Sequence, residues 1–230
     1  MYFRHSSEIW GDYPELVPGV ILVEGITKDV SVDARIAKYT AISESRLAAH
    51  SEGELPEIQA WRRVFSRMGL KPTQYRCASE ALLRRFRKER VLPRIHPLID
   101  LCNAISLAFA IPVAVYDGTR IAESLEVRYA DGAEIYLAFS GECEKPEAHE
   151  VIFADGAGRA RARRWTNRQS AYSAVGEDTA TALIVAEAMH DSGVADVQRL
   201  IAAICEDLQG IWAVTARSTL LNPSAPRFEF

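Results

Sequence analysis

Features that define several common classes of protein are missing from this 230-residue sequence. It has only four cysteines, Cys77, Cys102, Cys143 and Cys205, which lie far apart with no Cys-x-x-Cys pair and no histidine at ligand spacing. This arrangement indicates neither a zinc site nor a disulfide framework, and we interpret the cysteines as reduced, mostly structural thiols. No apolar signal region follows Met1, and the longest apolar runs are too short and too interrupted to span a bilayer. We therefore expect a cytoplasmic protein with no membrane partner.

The common catalytic signatures are also absent. There is no Gly-x-x-x-x-Gly-Lys-Ser/Thr loop, no Gly-x-Gly-x-x-Gly, no Gly-x-Ser-x-Gly and no His-Glu-x-x-His. The five histidines are scattered and indicate no catalytic pair: His5, His50, His96, His149 and His190. We predict no metal and no cofactor, because the residues that phosphoryl-transfer, redox and metal chemistry need are missing.

What the sequence does have is a large apolar fraction and a segregated charge. Hydrophobic residues make up 48% of the chain, enough to bury a core, and the net charge is −4. Basic residues nevertheless crowd two regions, residues 62–94 and 159–168. The second overlaps the stretch RARRWTNRQS, Arg161 to Ser170, which carries four arginines and a tryptophan. Such clusters attract polyanions locally, although solvated helix faces explain the first cluster equally well.

The spacing of apolar residues predicts helices at both ends of the chain and strands in the middle. We expect a buried strand at GVILVEGI, then helices at residues 33–51, at GELPEIQAWRRVFSRMG, at ASEALLRRFRKERV with Ser79 as its N-cap, and at HPLIDLCNAISLAFA. Short runs divided by Asp-Gly turns predict strands at IPVAVYD, SLEVRYA, EIYLAFSG, HEVIFAD and RARARRW. Two more helices are predicted at EDTATALIVAEAMHDSG and DVQRLIAAICEDLQGIW, before a loose tail NPSAPRFEF. The pattern is typical of a single α+β domain over residues 1–230, with a mostly antiparallel central sheet and flanking helices.

Four of these segments together resemble a known domain: ASEALLRRF, LPRIHPLIDLCNAISLAFAIPVAVYD, LEVRYADGAEIYLAFSG and HEVIFAD. They are similar to the tRNA-editing domain of the phenylalanyl-tRNA synthetase beta subunit, its B-three/B-four module, and still more to the freestanding bacterial proteins built from that module alone. The resemblance runs from about Trp61 to Glu187. Its spaced elements are Arg84 or Arg85, Asp100 with Asn103, Pro112 through Asp117, Val127-Arg128, Gly132 with Glu134, and Asp155.

The resemblance implies an α+β editing unit that acts on aminoacyl-tRNA. The activity would be that of an aminoacyl-tRNA deacylase, a carboxylic ester hydrolase acting in trans, or the protein would be a relative that kept only the binding. A complete tRNA ligase is not implied.

Two departures from the family pattern concern the pocket. Where the synthetase pattern is Pro-Leu-His-Ala-Phe-Asp, this chain has PVAVYD, so that Ala114 replaces a pocket histidine. Where the synthetase has a Gly-Gly turn, this chain has RARRWTNRQS, which suggests a pocket floor rebuilt with polar side chains. The amino-acid specificity of the synthetase is therefore not carried over.

Side-chain chemistry gives each candidate site residue a role in such a reaction. An aminoacyl ester is already activated, so its hydrolysis needs only a positioned water and a stabilised oxyanion. The candidate catalytic residues are Asn103, Glu134, Asn167 and Gln169. The candidate substrate-binding residues are Ser79, Arg84, Asp117, Arg163, Arg164, Trp165, Arg168 and Ser170. The amides would donate hydrogen bonds, the acids would receive the substrate's ammonium, the arginines would hold phosphates, and the tryptophan would stack on a base.

Several of these residues also have an ordinary structural interpretation. Asn103 would hydrogen-bond a nearby strand end, Asp117 would form a turn, Glu134 would pair with Arg128, and Trp165 would lie in the core. We hypothesise that the partner is the aminoacylated acceptor end of a tRNA, and we expect no DNA partner. Two other functions remain open, namely a non-catalytic module that binds tRNA or an amino acid, and a protein that binds or hydrolyses a small nucleotide or amino-acid ester.

Overall fold

Six α-helices and twelve β-strands build the protein, whose computed structural model describes residues 1–230. The helices are α1 Ser7–Asp12, α2 Asp33–Ala49, α3 Pro56–Arg67, α4 Ala78–Glu89, α5 Pro97–Phe109 and α6 Gly193–Trp212. The strands are β1 Tyr2–His5, β2 Val17–Glu24, β3 Val113–Asp117, β4 Ser124–Tyr129, β5 Ile135–Leu137, β6 Cys143–Glu144, β7 Val151–Asp155, β8 Arg159–Arg163, β9 Arg168–Gln169, β10 Thr181–Ala188, β11 Arg217–Leu220 and β12 Arg227–Glu229. None of the helices combines the length and the apolar character that crossing a membrane requires.

The strands form two sheets. The larger has the order β12-β1-β4-β7-β8-β5-β6, with β9 paired to β8, and the smaller has the order β11-β2-β10-β3. Every pairing of strands is antiparallel except β1 with β4 and β5 with β8. With helices packed against these sheets, the predicted α+β class with mostly antiparallel sheets is confirmed.

The local sequence sets the helix boundaries around the site. Pro56 and Pro97 lie in the first turns of α3 and α5, where a missing N–H removes no helical hydrogen bond. The imidazole Nδ1 of His96 accepts a 3.2 Å hydrogen bond from the Leu98 amide and so caps α5. Helix α4 begins directly after Cys77, so Ser79 lies inside its first turn and is not the N-cap that the sequence predicts.

One hydrophobic core joins the two sheets and the helices. Helix α6 packs closely on β2 because Gly19 has no side chain, and an added Cβ there would lie 2.5 Å from Cδ1 of Ile201. Tyr116 of β3 and Phe153 of β7 bring the two sheets together, with ring centroids 5.6 Å apart. Both aromatic side chains also line the cleft described below.

Two segments differ from the sequence-based expectation. The predicted helix at EDTATALIVAEAMHDSG is wrong, because Thr181–Ala188 is β10, the strand between β2 and β3. Almost every residue of β10 is buried, so its apolar run shows no alternation that would separate a strand from a buried helix. The expected loose tail is also wrong, because Arg227–Glu229 is β12, paired with β1, and Phe228 packs into the core.

Candidate functional site

A cleft lies where β3 and β10 meet the segment Trp165 to Gln169 and the start of α4. Its volume is about 410 Å³ when its open mouth is included. Most of its wall is apolar and includes Pro112, Val113, Ala114, Phe153 and Val185. A few polar side chains are set among these apolar residues, which is the usual composition of a small-ligand site.

Glu187 of β10 is the only acidic residue in the lining of the cleft. Its side chain is 2% exposed, and its Oε1 lies 2.7 Å from Nε2 of His5 and 2.9 Å from the donating Nε1 of Trp165. Its second oxygen, Oε2, receives no hydrogen bond from the protein. Because a buried carboxylate is costly unless it is hydrogen-bonded, Oε2 is the natural acceptor for an N–H or O–H group of a bound ligand.

Two hydroxyl groups of the cleft also lack partners. The phenol oxygen of the fully buried Tyr116 makes no hydrogen bond, and neither does the hydroxyl of Thr166. Burial, together with the nearby charge of Glu187, raises the pKa of Tyr116 well above its usual value, against a smaller opposing effect of Arg161. The phenol therefore stays protonated and can donate a hydrogen bond. An unpaired buried polar group costs about 1–3 kcal/mol, and a hydrogen bond to a ligand or a water would offset that cost.

The amides of Asn167 and Gln169 lie in the same lining. The Asn167 amide nitrogen donates to the carbonyl of Arg76, and the Gln169 amide nitrogen donates to the carbonyl of Val115, each at 2.7 Å. Each amide nitrogen carries two hydrogens, so one donor of each amide remains. The main-chain contacts therefore fix the orientation of two donors beside the cleft.

A second groove adjoins the cleft and holds Asn103, together with Ser106, Leu82 and Arg85. The two depressions share Ala78, Val113 and Asn167 in their linings. The structure thus brings five candidate residues from the sequence together: Asn103, Trp165, Asn167, Arg168 and Gln169.

The two candidate acids do not line the cleft. The buried carboxylate of Glu134 pairs with Arg128 and accepts from the amides of Asp131 (3.2 Å) and Gly132 (3.1 Å). Glu134 therefore holds its own turn together, which corrects its assignment as a catalytic residue. Asp117 is also buried and accepts from the amide and hydroxyl of Thr119 and from the hydroxyl of Thr179. Its role is to form the turn after β3, so it is not available to receive a substrate ammonium.

The two candidate serines are likewise occupied by structural contacts. Ser79 is fully buried, and its hydroxyl lies 3.4 Å from the Cys77 thiol. Ser170 is also fully buried, and its hydroxyl donates to the carbonyl of Leu137 (2.9 Å) and accepts from the amide of Tyr172 (3.2 Å). Neither serine lines the cleft, so neither binds a ligand there.

Most of the candidate arginines already have carboxylate partners. Arg163 is buried and donates two hydrogen bonds, of 2.8 and 2.9 Å, to Glu150. Arg168 donates two hydrogen bonds, of 2.9 and 3.1 Å, to Glu144. Arg84 pairs with the buried Glu52 at 2.9 Å. These carboxylates occupy part of each guanidinium group, and phosphate binding by the three arginines stays a prediction.

Arg164 is the exception among the candidate arginines. It has no carboxylate partner in an ion pair, and its guanidinium carbon lies 4.8 Å from the ring centroid of Tyr75. It lines a different depression from the cleft, beside His149 and Val151.

Trp165 lies in the core and does not offer its ring to solvent. The side chain is 0% exposed and packs edge-on against Tyr13 and Trp61, with ring centroids 4.8 and 5.3 Å away. Its indole nitrogen donates to Glu187. The expectation that Trp165 stacks on a base is therefore corrected, since no base can reach its faces.

Glu187 and Tyr116 are not among the site residues that the sequence suggested. The signal for Glu187 is a single acid inside the apolar run TALIVAEA. In an amphipathic helix such an acid lies on the solvated face, whereas in a buried strand it must have partners. Because the segment was predicted to be a helix, Glu187 was not recognised as a buried residue that needs hydrogen-bond partners.

One group of side chains has the spacing of metal ligands, namely Glu57, His190 and Asp196, whose ligand atoms lie within 4.8 Å of one another. Both acids are already neutralised, because Glu57 pairs with Arg46 and Asp196 pairs with Arg199. The group therefore has no net negative charge to attract a cation, and we assign no metal site to it.

Comparison with known proteins places the chain in a family. A search of curated protein sequences found no match. A solved structure of an N-terminal fragment of the phenylalanyl-tRNA synthetase beta subunit from Pyrococcus horikoshii aligns with a TM-score of 0.49 at 10% sequence identity, over 94% of this chain and 50% of that chain. This chain thus spans about half the length of that fragment. Residues 60–206 match the family model of the B3/4 domain, and the chain belongs to the B3/4 domain family.

Proposed function

We propose that the protein hydrolyses the ester bond of a mischarged aminoacyl-tRNA, with the aminoacyl group held in the cleft. The observation that carries this proposal is that the free Oε2 of the buried Glu187 and the unpaired hydroxyl of Tyr116 belong to one cleft with mostly apolar walls. An aminoacyl ester presents an ammonium group and a side chain next to its reactive carbonyl. A carboxylate acceptor among apolar residues is complementary to such a group.

The lining favours hydrolysis by a positioned water. Serine, cysteine and histidine are all absent from the lining, so the hydroxyls of Thr166 and Tyr116 have no histidine there that could activate them as nucleophiles. Main-chain carbonyls hold the amide nitrogens of Asn167 and Gln169 through one hydrogen each, which fixes the direction of the remaining donor, as an oxyanion site requires. Asn103 in the adjoining groove would contact the terminal nucleotide of the tRNA.

The tRNA backbone would lie along α4. This helix carries Arg85, which pairs with Glu89, at the groove and, one turn further on, Lys88, with Arg90 directly after its end. Lys88 and Arg90 are exposed and make no ion pair. Phosphates bind such unpaired cations more readily than they bind Arg163 and Arg168, which already hold carboxylates.

A panel of tRNAs charged with different labelled amino acids tests this proposal. The purified protein should shorten the ester half-life of at least one mischarged tRNA, without any accumulation of an acyl-enzyme after acid quench. If every ester decays at its spontaneous rate, the protein is not a deacylase.

A non-catalytic binding module is the second candidate. It is favoured by the absence of a general base other than Glu187 in the lining, and by Ala114 in place of a pocket histidine. Filter retention separates the two candidates, because a binding module would retain charged tRNA and leave the ester half-life unchanged.

A further inference from the structure

His5 lies directly behind the cleft carboxylate. It is the last residue of β1 and pairs with Val127 of β4, so it reaches Glu187 from the larger sheet. Its side chain is 0% exposed, and its Nε2 lies 2.7 Å from Oε1 of Glu187. Phe3 and Trp10 pack on its ring, with centroids 5.2 and 5.4 Å away.

We propose that His5 is a positioning residue for the cleft, which acts with Trp165 to fix Oε1 of Glu187 and to turn Oε2 toward the ligand. This inference rests on the proposed function in that it takes the cleft as the substrate site. It gives a role to a histidine that the sequence pattern leaves without one.

The proposed role requires a particular tautomer of His5. With Glu187 ionised, its oxygen can only accept hydrogen bonds, and Nε2 of His5 is then the donor. Oε1 then accepts two hydrogen bonds, one from β1 and one from the segment after β8, which converge from different elements. A carboxylate held in this way cannot rotate freely, and its orientation is set before a ligand arrives.

A purely space-filling role does not explain this arrangement. Nδ1 of His5 is buried without a partner, which is a cost that an apolar side chain of similar size would avoid. The hydrogen bond to Glu187 is the only polar contact that the His5 side chain makes. The hydrogen bond that orients the Glu187 carboxylate therefore explains why a histidine occupies this position.

Two substitutions separate positioning from packing. His5→Leu keeps bulk but removes the donor, whereas His5→Gln replaces Nε2–H with an amide N–H at a similar reach. With the charged tRNA that the wild-type protein hydrolyses fastest, His5→Leu should lower kcat/KM about 10- to 100-fold, because a displaced group costs up to that much. His5→Gln should stay within about threefold of the wild-type protein, since one donor to Oε1 is restored.

His190→Gln is a matched control. His190 is also buried, its Nε2 lies 2.8 Å from the carboxylate of Asp196, and its Nδ1 also lacks a partner. It does not line the cleft, so its replacement should leave kcat/KM unchanged. Equal losses in His5→Leu and His5→Gln, with melting curves like that of the wild-type protein, would overturn the proposal.

An NMR measurement on the protein without any tRNA gives an answer that does not depend on activity. We expect His5 of the wild-type protein to carry its proton on Nε2, and we expect His5→Leu to shift the indole N–H signal of Trp165 while His190→Gln leaves it in place. A proton on Nδ1 of His5 would overturn the proposal even if the protein hydrolyses charged tRNA. If no charged tRNA is hydrolysed, the proposed function fails, and the NMR result still decides the role of His5.

Discussion

The indole nitrogen of Trp165 donates a 2.9 Å hydrogen bond to the carboxylate of Glu187. This contact joins the arginine-rich segment to the strand that carries the only acid of the cleft. The segment that most resembles a nucleic-acid surface in the sequence is therefore part of an internal wall. Its polar side chains hold the cleft together, and most of its cations are neutralised by Glu144, Glu150 and Asp155.

Trp165→Phe should destabilise the protein more than it changes tRNA binding. The substitution removes one of the two donors to a buried carboxylate, which costs about 1–3 kcal/mol in the free energy of unfolding. Urea denaturation of both proteins measures this loss. A variant with wild-type stability but much weaker tRNA retention would restore the base-stacking role.

Lys88 and Arg90 should contribute to tRNA affinity. A plot of log affinity against log salt concentration has a negative slope, and each phosphate contact that is removed should reduce the magnitude of this slope by about 0.7–0.9. Lys88→Ala and Arg90→Ala are therefore compared with the wild-type protein in filter binding over a series of salt concentrations. Unchanged slopes in both variants would exclude α4 as the tRNA-binding surface.

Arg163→Ala should behave as a core substitution. It leaves the half-buried carboxylate of Glu150 without its bidentate partner, and breaking a buried ion pair in this way costs about 3–5 kcal/mol. Thermal melting is the measurement, and a melting temperature equal to that of the wild-type protein would contradict the structure.

Lowering the pH should remove a contribution that the ionised Asp196 side chain makes to the free energy of unfolding. Burial by itself would raise the pKa of Asp196, but hydrogen bonds from Ser192, His190 and Arg199 together lower it to about 2. Because this pKa is lower in the folded than in the unfolded chain, the stabilisation is present above about pH 4 and is lost as the pH falls toward 2. The difference in unfolding free energy between the wild-type protein and Asp196→Asn should therefore shrink over that interval in urea titrations. A difference that does not change with pH would contradict this account.

We propose that residues 1–230 form a single domain. The chain should therefore unfold in one cooperative transition. Strand β12 pairs with β1, and Phe228 belongs to the common core. Phe228→Ala should therefore lower the unfolding free energy of the whole chain by about 3–5 kcal/mol. Two separate transitions in calorimetry, only one of them affected by Phe228→Ala, would indicate two domains.

Local sequence patterns predicted most of the helices and strands whose ends are marked by a proline or a turn. The helices opened by Pro56 and Pro97, and the strands divided by Asp-Gly turns, lie where the sequence predicts them. Strand β10 could not be recognised, since a strand buried on both faces has the same apolar character as a buried helix. The pairing of β12 with β1 joins the two ends of the chain, and no local pattern records such a contact.

The sequence predicted those residues of the candidate site that stand out by their own side-chain chemistry. Asn103, Asn167 and Gln169 do lie at the cleft or its groove. The carboxylate partners of the arginines, Glu144 and Glu150, come from other strands and loops, and the sequence does not show that pairing. Glu187 was missed together with its strand.

The rate of ester hydrolysis by Glu187→Gln tests the central claim most directly. With the mischarged tRNA that the wild-type protein hydrolyses fastest, the variant should lose about 10- to 100-fold in kcat/KM, because a charged hydrogen bond of about 1.5–3 kcal/mol to the aminoacyl group is removed. Glu134→Gln is the matched control, since Glu134 is equally buried but holds only its own turn, and it should lower stability without lowering this rate. A Glu187→Gln protein that folds and hydrolyses the ester at the wild-type rate would contradict the assignment of the cleft as the site.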